Sequence, residues 1–276
     1  MNQPNDVQFS TTPLLSTGVR LHYAERGDRG GEAIIFLHGY TDSWFSFSGV
    51  LPLLSPSYHA FALTERGHGD SDKPECCYTL DDFAADVDAF MDALSIEEAT
   101  LVGGSGGAFI AQRVALDYPQ RVSRLVLMSS GATLVDNEAV MGLGEQMLAL
   151  EDPISPEFVR EFQESMMYHP GPDEFFDTVV SESLKLPARV WRDYWEGVVL
   201  TPNDHAARLG EIDAPTLILW GEQDVVFSRE DQEQLAGAIP GATLGVYPDT
   251  GHAVHWDRPE QVVRDLEAFM KDSRPA

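Results

Sequence analysis

The chain has 276 residues, 43% of them hydrophobic, and 45 acidic against 18 basic side chains, giving a formal charge of -27. A chain so negative is repelled by nucleic acid and by anionic lipid, so neither is expected as a partner. No apolar run approaches the ~20 residues of a membrane span, the start Met1–Val7 lacks the basic and apolar segments of a secretory leader, and the only cysteines, Cys76 and Cys77, are adjacent, a pairing expected to be too strained for a structural bridge. A reducing cytoplasm is the simplest home, and the length suits one α/β domain carrying an insertion, as a monomer or homodimer.

In chain order, an edge strand near 7–15 and a strand at about 19–24 precede Ala33–Leu37, an apolar strand that runs into His38-Gly39-Tyr40-Thr41-Asp42-Ser43. A strand at about 58–63 leads to Arg66-Gly67-His68-Gly69-Asp70-Ser71-Asp72-Lys73-Pro74, and a helix is expected over 81–94. A buried-type strand at 99–103 enters Gly103-Gly104-Ser105-Gly106-Gly107 and then a helix over 106–117. The alternative, a flexible Gly/Ser linker, does not fit the flanking Leu101-Val102 and the helically spaced Ile110, Val114 and Leu116. After a strand at 124–129, the segment 132–206 changes to helical stretches broken by Pro153, Pro156, Pro170, Pro172, Pro187 and Pro202. Strands at 215–220 and 242–247 then alternate with helices at 229–238 and 259–271. This pattern predicts an α/β fold, a mostly parallel doubly wound sheet built from residues 1–131 and 207–276, with 132–206 as a helical cap over the carboxyl ends of the strands.

Ser105 sits where a strand turns sharply into a helix, and the small residues two positions either side suit backbones that approach closely there. A serine at such an elbow needs a base and an acid to orient it. Asp224 follows the strand at 215–220, and His252 follows the strand at 242–247 in Pro248-Asp249-Thr250-Gly251-His252. The order Ser105, Asp224, His252, each just past a strand end, resembles the α/β-hydrolase superfamily. The resemblance covers almost the whole chain: His38–Ser43 is similar to the family's oxyanion loop, Arg66–Pro74 to the loop after its fourth strand, and Arg258–Val262 to the start of its closing helix.

That resemblance implies a Ser105–His252–Asp224 triad with an oxyanion hole from the backbone N–H groups of Tyr40 and Gly106. His255 competes with His252 but enters the following segment, whereas His252 directly follows Gly251 where the family places its base. Asp249 competes with Asp224 but lies in the same turn as His252, and an orienting carboxylate normally approaches from a neighbouring strand. Gly104 and Gly106 stand where many relatives carry larger residues, which leaves the elbow bare. An aspartate at the elbow would imply epoxide or haloalkane chemistry; serine argues against both.

The histidines have no zinc spacing and residues 103–107 lack the Lys-Ser/Thr of a phosphate loop, so neither metal nor cofactor is expected. The cap is rich in aromatics and methionines, among them Phe162, Met166, Trp191, Tyr194 and Trp195. Phe162, Met166, Trp191, Trp195, Val225 and His255 are expected to form a pocket for a small apolar or aromatic substrate. Cleavage of a carboxylic ester or lactone through an acyl-enzyme on Ser105 is the first reading. A carbon-carbon bond hydrolase or perhydrolase on the same triad, and a small-molecule receptor of the same fold, are the alternatives.

Overall fold

A strand run with both faces covered has to be apolar on both, and Ala99–Gly104 is buried at every position. It forms the middle of an eight-stranded sheet in this computed structural model, which describes residues 7–135 and 137–272. Met1–Asp6, on which most of the leader reading rests, and Asp136 within the helical interruption lie outside the described residues. The strands are β1 Gln8–Thr11, β2 His22–Gly27, β3 Ala33–Leu37, β4 His59–Leu63, β5 Ala99–Gly104, β6 Val122–Met128, β7 Thr216–Gly221 and β8 Thr243–Tyr247, in the order β1-β2-β4-β3-β5-β6-β7-β8. The β1–β2 and β2–β4 pairs are antiparallel and the rest parallel. The sheet is therefore mostly parallel and doubly wound, as the pattern predicts.

Alternation along β3 divides the core in two. Ile35 and Leu37 point to the face that packs helices α1 (Leu80–Leu94) and α2 (Gly106–Asp117), while Ile34 and Phe36 point to the face that packs the long C-terminal helix. Local signals set the helix starts: Thr79 and Asp82 form a reciprocal capping box before α1. Two boundaries differ from expectation. Pro13, which has no N–H to donate, follows β1 closely, so the edge strand is shorter than 7–15. Val19, Leu21 and Tyr23 do alternate inward, but ladder pairing begins only at His22, opposite Thr11, so β2 lies three residues later than the apolar signal suggests.

Between β6 and β7 the chain forms α3 (Glu138–Leu148), α4 (Pro156–Glu164), α5 (Asp173–Ser183), α6 (Ala188–Tyr194), a π-helical turn at Trp195–Leu200 and a short α7 (His205–Arg208). These helices touch the loops at the carboxyl ends of the strands. Tyr40 Oη donates to the Trp191 carbonyl at 2.9 Å, Ala253 N to the Met166 carbonyl at 2.8 Å, and the Asp257 carboxylate accepts from the amides of Tyr168, His169 and Gly251. The π-helical turn lies against the core because Gly197 has no side chain; a Cβ there would fall on the Tyr78 carbonyl.

Three helices complete the return to the sheet: α8 (Arg229–Ala238), α9 (Val254–Asp257) and the amphipathic α10 (Pro259–Asp272), which buries Val262, Val263, Leu266 and Met270. Among the described residues no helix is long and apolar enough to cross a membrane. The expectation of unbridged cysteines is not met. Cys76 and Cys77 are joined, in a turn where the Cys77 backbone adopts φ 76°, so the pair carries no argument for a reducing compartment.

Candidate active site

The turn from β5 into α2 places Ser105 at φ 50° and ψ -117°, a left-handed conformation that non-glycine residues rarely adopt. Its flanks explain the glycines. A Cβ on Gly103 would lie 2.4 Å from the Gly107 carbonyl oxygen, and one on Gly107 would meet the carbonyl oxygens of Leu37 and His38. The strained serine is held because β3, β5 and α2 close around it, with Ser105 N donating to the Met128 carbonyl at 2.9 Å.

Asp224 follows β7 and His252 follows β8, so neighbouring strand ends bring together residues 28 apart in sequence. His252 Nδ1 lies 2.9 and 3.0 Å from the two Asp224 oxygens, and both side chains are nearly or fully buried. Asp224 Oδ1 also accepts from the amides of Val226 and Phe227, at 2.7 and 3.1 Å, which fixes the carboxylate. With Nδ1 facing Asp224, Nε2 is the nitrogen left to face the nucleophile. Ser105 and His252 line the same two cavities. The competitors are engaged otherwise: His255 bonds through Nε2 to Ser46 Oγ at 2.9 Å, and Asp249 occupies a turn at φ 50°.

The first cavity is apolar, about 70 Å³, lined by Leu134, Leu143, Phe162, Trp195, Val199 and Val226. The second, about 50 Å³, is more polar and runs past Gly104 to Asp42, Gln163, His255 and Trp256. Among the described residues no Lys or Arg lines either. Gly104 stays small because His255 fills its flank, with Cε1 3.3 Å from where a Cβ would be. His255 is driven down to a pKa of about 3 by burial and by His252, so it is neutral. Asp42 is pushed up to about 7 by burial, against hydrogen bonds from Ser46 and Gln163.

Tyr40 and Gly106 also flank the cavities, with the Tyr40 nitrogen 3.4 Å from the point where a Gly106 Cβ would sit. Phe162, Met166 and Trp195 line the apolar cavity and His255 the polar one. Two pocket assignments need correction. Val225 is 66% exposed, because the loop after Asp224 turns Val226 and Phe227 inward in its place. Trp191 is fully buried behind Tyr40, packed edge-on at 5.4 Å between ring centroids, and lines neither cavity.

Asp42, Gln163 and Tyr194 were not singled out by the sequence for this site. A signal existed for Gln163: it falls on the inward face of α4 with Val159 and Phe162, and a polar residue on such a face needs a partner. A metal-like cluster, His38, Glu65 and His68, lies buried nearby with donor atoms within 4.8 Å of one another. His38 Nε2 accepts from Glu65 N at 3.0 Å, which assigns its hydrogen to Nδ1, bonded to the Gly39 carbonyl at 2.8 Å. Two ligands remain, fewer than the roughly three or four that zinc takes from a protein.

The chain belongs to the α/β-hydrolase fold family, whose profile matches residues 32–259. It is 30% identical over 272 residues to a 2-hydroxy-6-oxononadienedioate/2-hydroxy-6-oxononatrienedioate hydrolase of Burkholderia vietnamiensis, covering 92% of each chain. To epoxide hydrolase 3 of Mus musculus it is 27% identical over 303 residues, covering 96% of this chain and 78% of the relative. The structure of a meta-cleavage product hydrolase from Pseudomonas fluorescens superposes with a TM-score of 0.81 at 25% identity, covering 96% of this chain and 98% of that one.

Proposed function

We propose that the protein hydrolyses a small, uncharged carboxylic ester or lactone through an acyl-enzyme on Ser105. The observation that carries this reading is the pairing of a strained serine with a buried His252–Asp224 couple at cavities lined by no cationic side chain. Ser105 Oγ attacks the carbonyl carbon and its proton passes to His252 Nε2. The backbone N–H groups of Tyr40 and Gly106 stabilise the oxyanion, and Asp224 stabilises the imidazolium. The leaving alcohol takes the proton from His252. Water, deprotonated by the same nitrogen, then releases the acid.

Two relatives bear names for other reactions. The dioate substrates in the Burkholderia vietnamiensis hydrolase's name carry two carboxylates, and a dianion beside Asp42 with no Lys or Arg lining the cavities lacks a counter-charge. Epoxide opening is disfavoured by serine in place of a carboxylate nucleophile. Turnover of a p-nitrophenyl ester series against a lactone panel and a meta-cleavage product tests the reading. Ester or lactone turnover lost in Ser105→Ala supports it; preference for the ring-cleavage dianion contradicts it.

A further inference from the structure

The elbow is bare at Gly106 because another side chain already occupies that flank. A Cβ built on Gly106 falls 2.2 Å from the Tyr194 hydroxyl, well inside contact distance, so Tyr194 Oη stands where a larger residue at 106 would project. The same point is 3.4 Å from the Tyr40 nitrogen. The hydroxyl therefore joins the two backbone donors expected to form the oxyanion hole.

Tyr194 is 2% exposed, yet among the described residues its Oη has no hydrogen-bond partner. Leaving a buried hydroxyl unpaired is unfavourable, and a folded protein retains such a group where it has a task. The ring is fixed, with Tyr40, Phe83 and His68 at centroid distances of 5.0, 5.3 and 5.7 Å. Its polar neighbours do not claim the hydrogen. The Tyr40 hydroxyl is committed to the Trp191 carbonyl, and both Glu65 oxygens and His68 Nε2 are themselves without partners. Burial, with Asp42 and Asp86 nearby, holds the Glu65 carboxyl well above the usual range. Burial also holds the Tyr194 phenol well above its ordinary value, so it remains a donor.

We propose that Tyr194 is a catalytic residue whose hydroxyl donates a third hydrogen bond to the oxyanion formed when Ser105 attacks its substrate. The inference rests on the acyl-enzyme reading above. The hydroxyl keeps its proton throughout; the hydrogen bond forms as charge develops on the carbonyl oxygen and is lost as the carbonyl re-forms.

Tyr194→Phe keeps the ring and removes only the hydroxyl. With p-nitrophenyl acetate, kcat should fall about 10²–10³-fold while KM stays within about threefold, the pattern of a donor used only in the transition state. Covalent labelling by a fluorophosphonate should slow in parallel. Gly106→Ala, which displaces the hydroxyl, should cost a comparable factor alone but add little in the Gly106→Ala/Tyr194→Phe double variant, because both act on one hydrogen bond. A folded Tyr194→Phe enzyme with kcat within about threefold of the parent overturns the proposal, as does full additivity in the double variant. Ser105→Ala separates the two claims. If it abolishes turnover and labelling while Tyr194→Phe does neither, the nucleophile stands and the third donor falls; activity that survives Ser105→Ala removes both.

Discussion

The Gln163 side-chain amide donates to Asp42 Oδ1 at 3.1 Å, joining α4 to the loop that follows β3 beside Ser105. The same nitrogen lies 3.1 Å from Thr41 Oγ1 and 3.0 Å from Ser183 Oγ, so one buried amide ties α4 and α5 to the loop after β3. Gln163→Leu leaves three acceptors without that donor. It should destabilise the fold by about 1–3 kcal/mol, the penalty of unpaired buried groups. Chemical denaturation measures this, and an unchanged midpoint would show that the helices dock without it.

Asp42 gives stability a pH dependence whose sign is fixed. Its folded pKa is raised from 3.8 to about 7, so its favourable contribution is complete below the unfolded value and is lost as pH rises through about 7. Asp42→Asn does not titrate. The Tm difference, variant minus parent, should therefore increase between pH 5 and pH 8.5, at about 2–4 °C per kcal/mol for a chain of this size. A difference flat across that range would place the carboxyl's titration elsewhere.

Trp195 and Trp191 should behave differently although both lie in the helical segment. Trp195 lines the apolar cavity, so Trp195→Ala should change KM and acyl-chain ranking, extending tolerance to longer chains. Trp191 is buried behind Tyr40, so Trp191→Ala should cost about 3–5 kcal/mol of stability as a core truncation. Chain-length profiles and melting curves of the two variants check this. Identical chain preference in folded Trp195→Ala would make the helices only a cover.

The charge of -27 should make stability salt-dependent. The Debye length falls from ~30 Å at 0.01 M to ~3 Å at 1 M, so screening of self-repulsion should raise Tm with NaCl as well as with sulfate. A Tm flat to 1 M NaCl would mean the charges are spaced widely enough to be solvated without strain.

The sheet was legible because its signals are local: the largely apolar run of β5, the alternation of β3 and the glycines around Ser105 each state their own environment. The side-chain directions of loops were not. Val225 and Val226 are equivalent as sequence, and only the amides that bind Asp224 decide which turns inward. Tyr194 is one aromatic in a run with Trp191 and Trp195. Its closeness to Gly106, 88 positions away in sequence, follows from how the inserted helices settle on the strand ends, which no local pattern records. The bareness of the elbow was visible; the hydroxyl that fills it was not.

The central claim is that Ser105 forms an acyl-enzyme. Mass spectrometry of the intact protein, quenched during turnover of a slowly deacylated p-nitrophenyl ester, tests it most directly. The account predicts an adduct of the acyl group's mass, mapped to the peptide containing Ser105, together with a kcat loss of several powers of ten in Ser105→Ala, up to about 10⁶. Turnover near the parent rate in Ser105→Ala, or an adduct mapped to another residue, would contradict it.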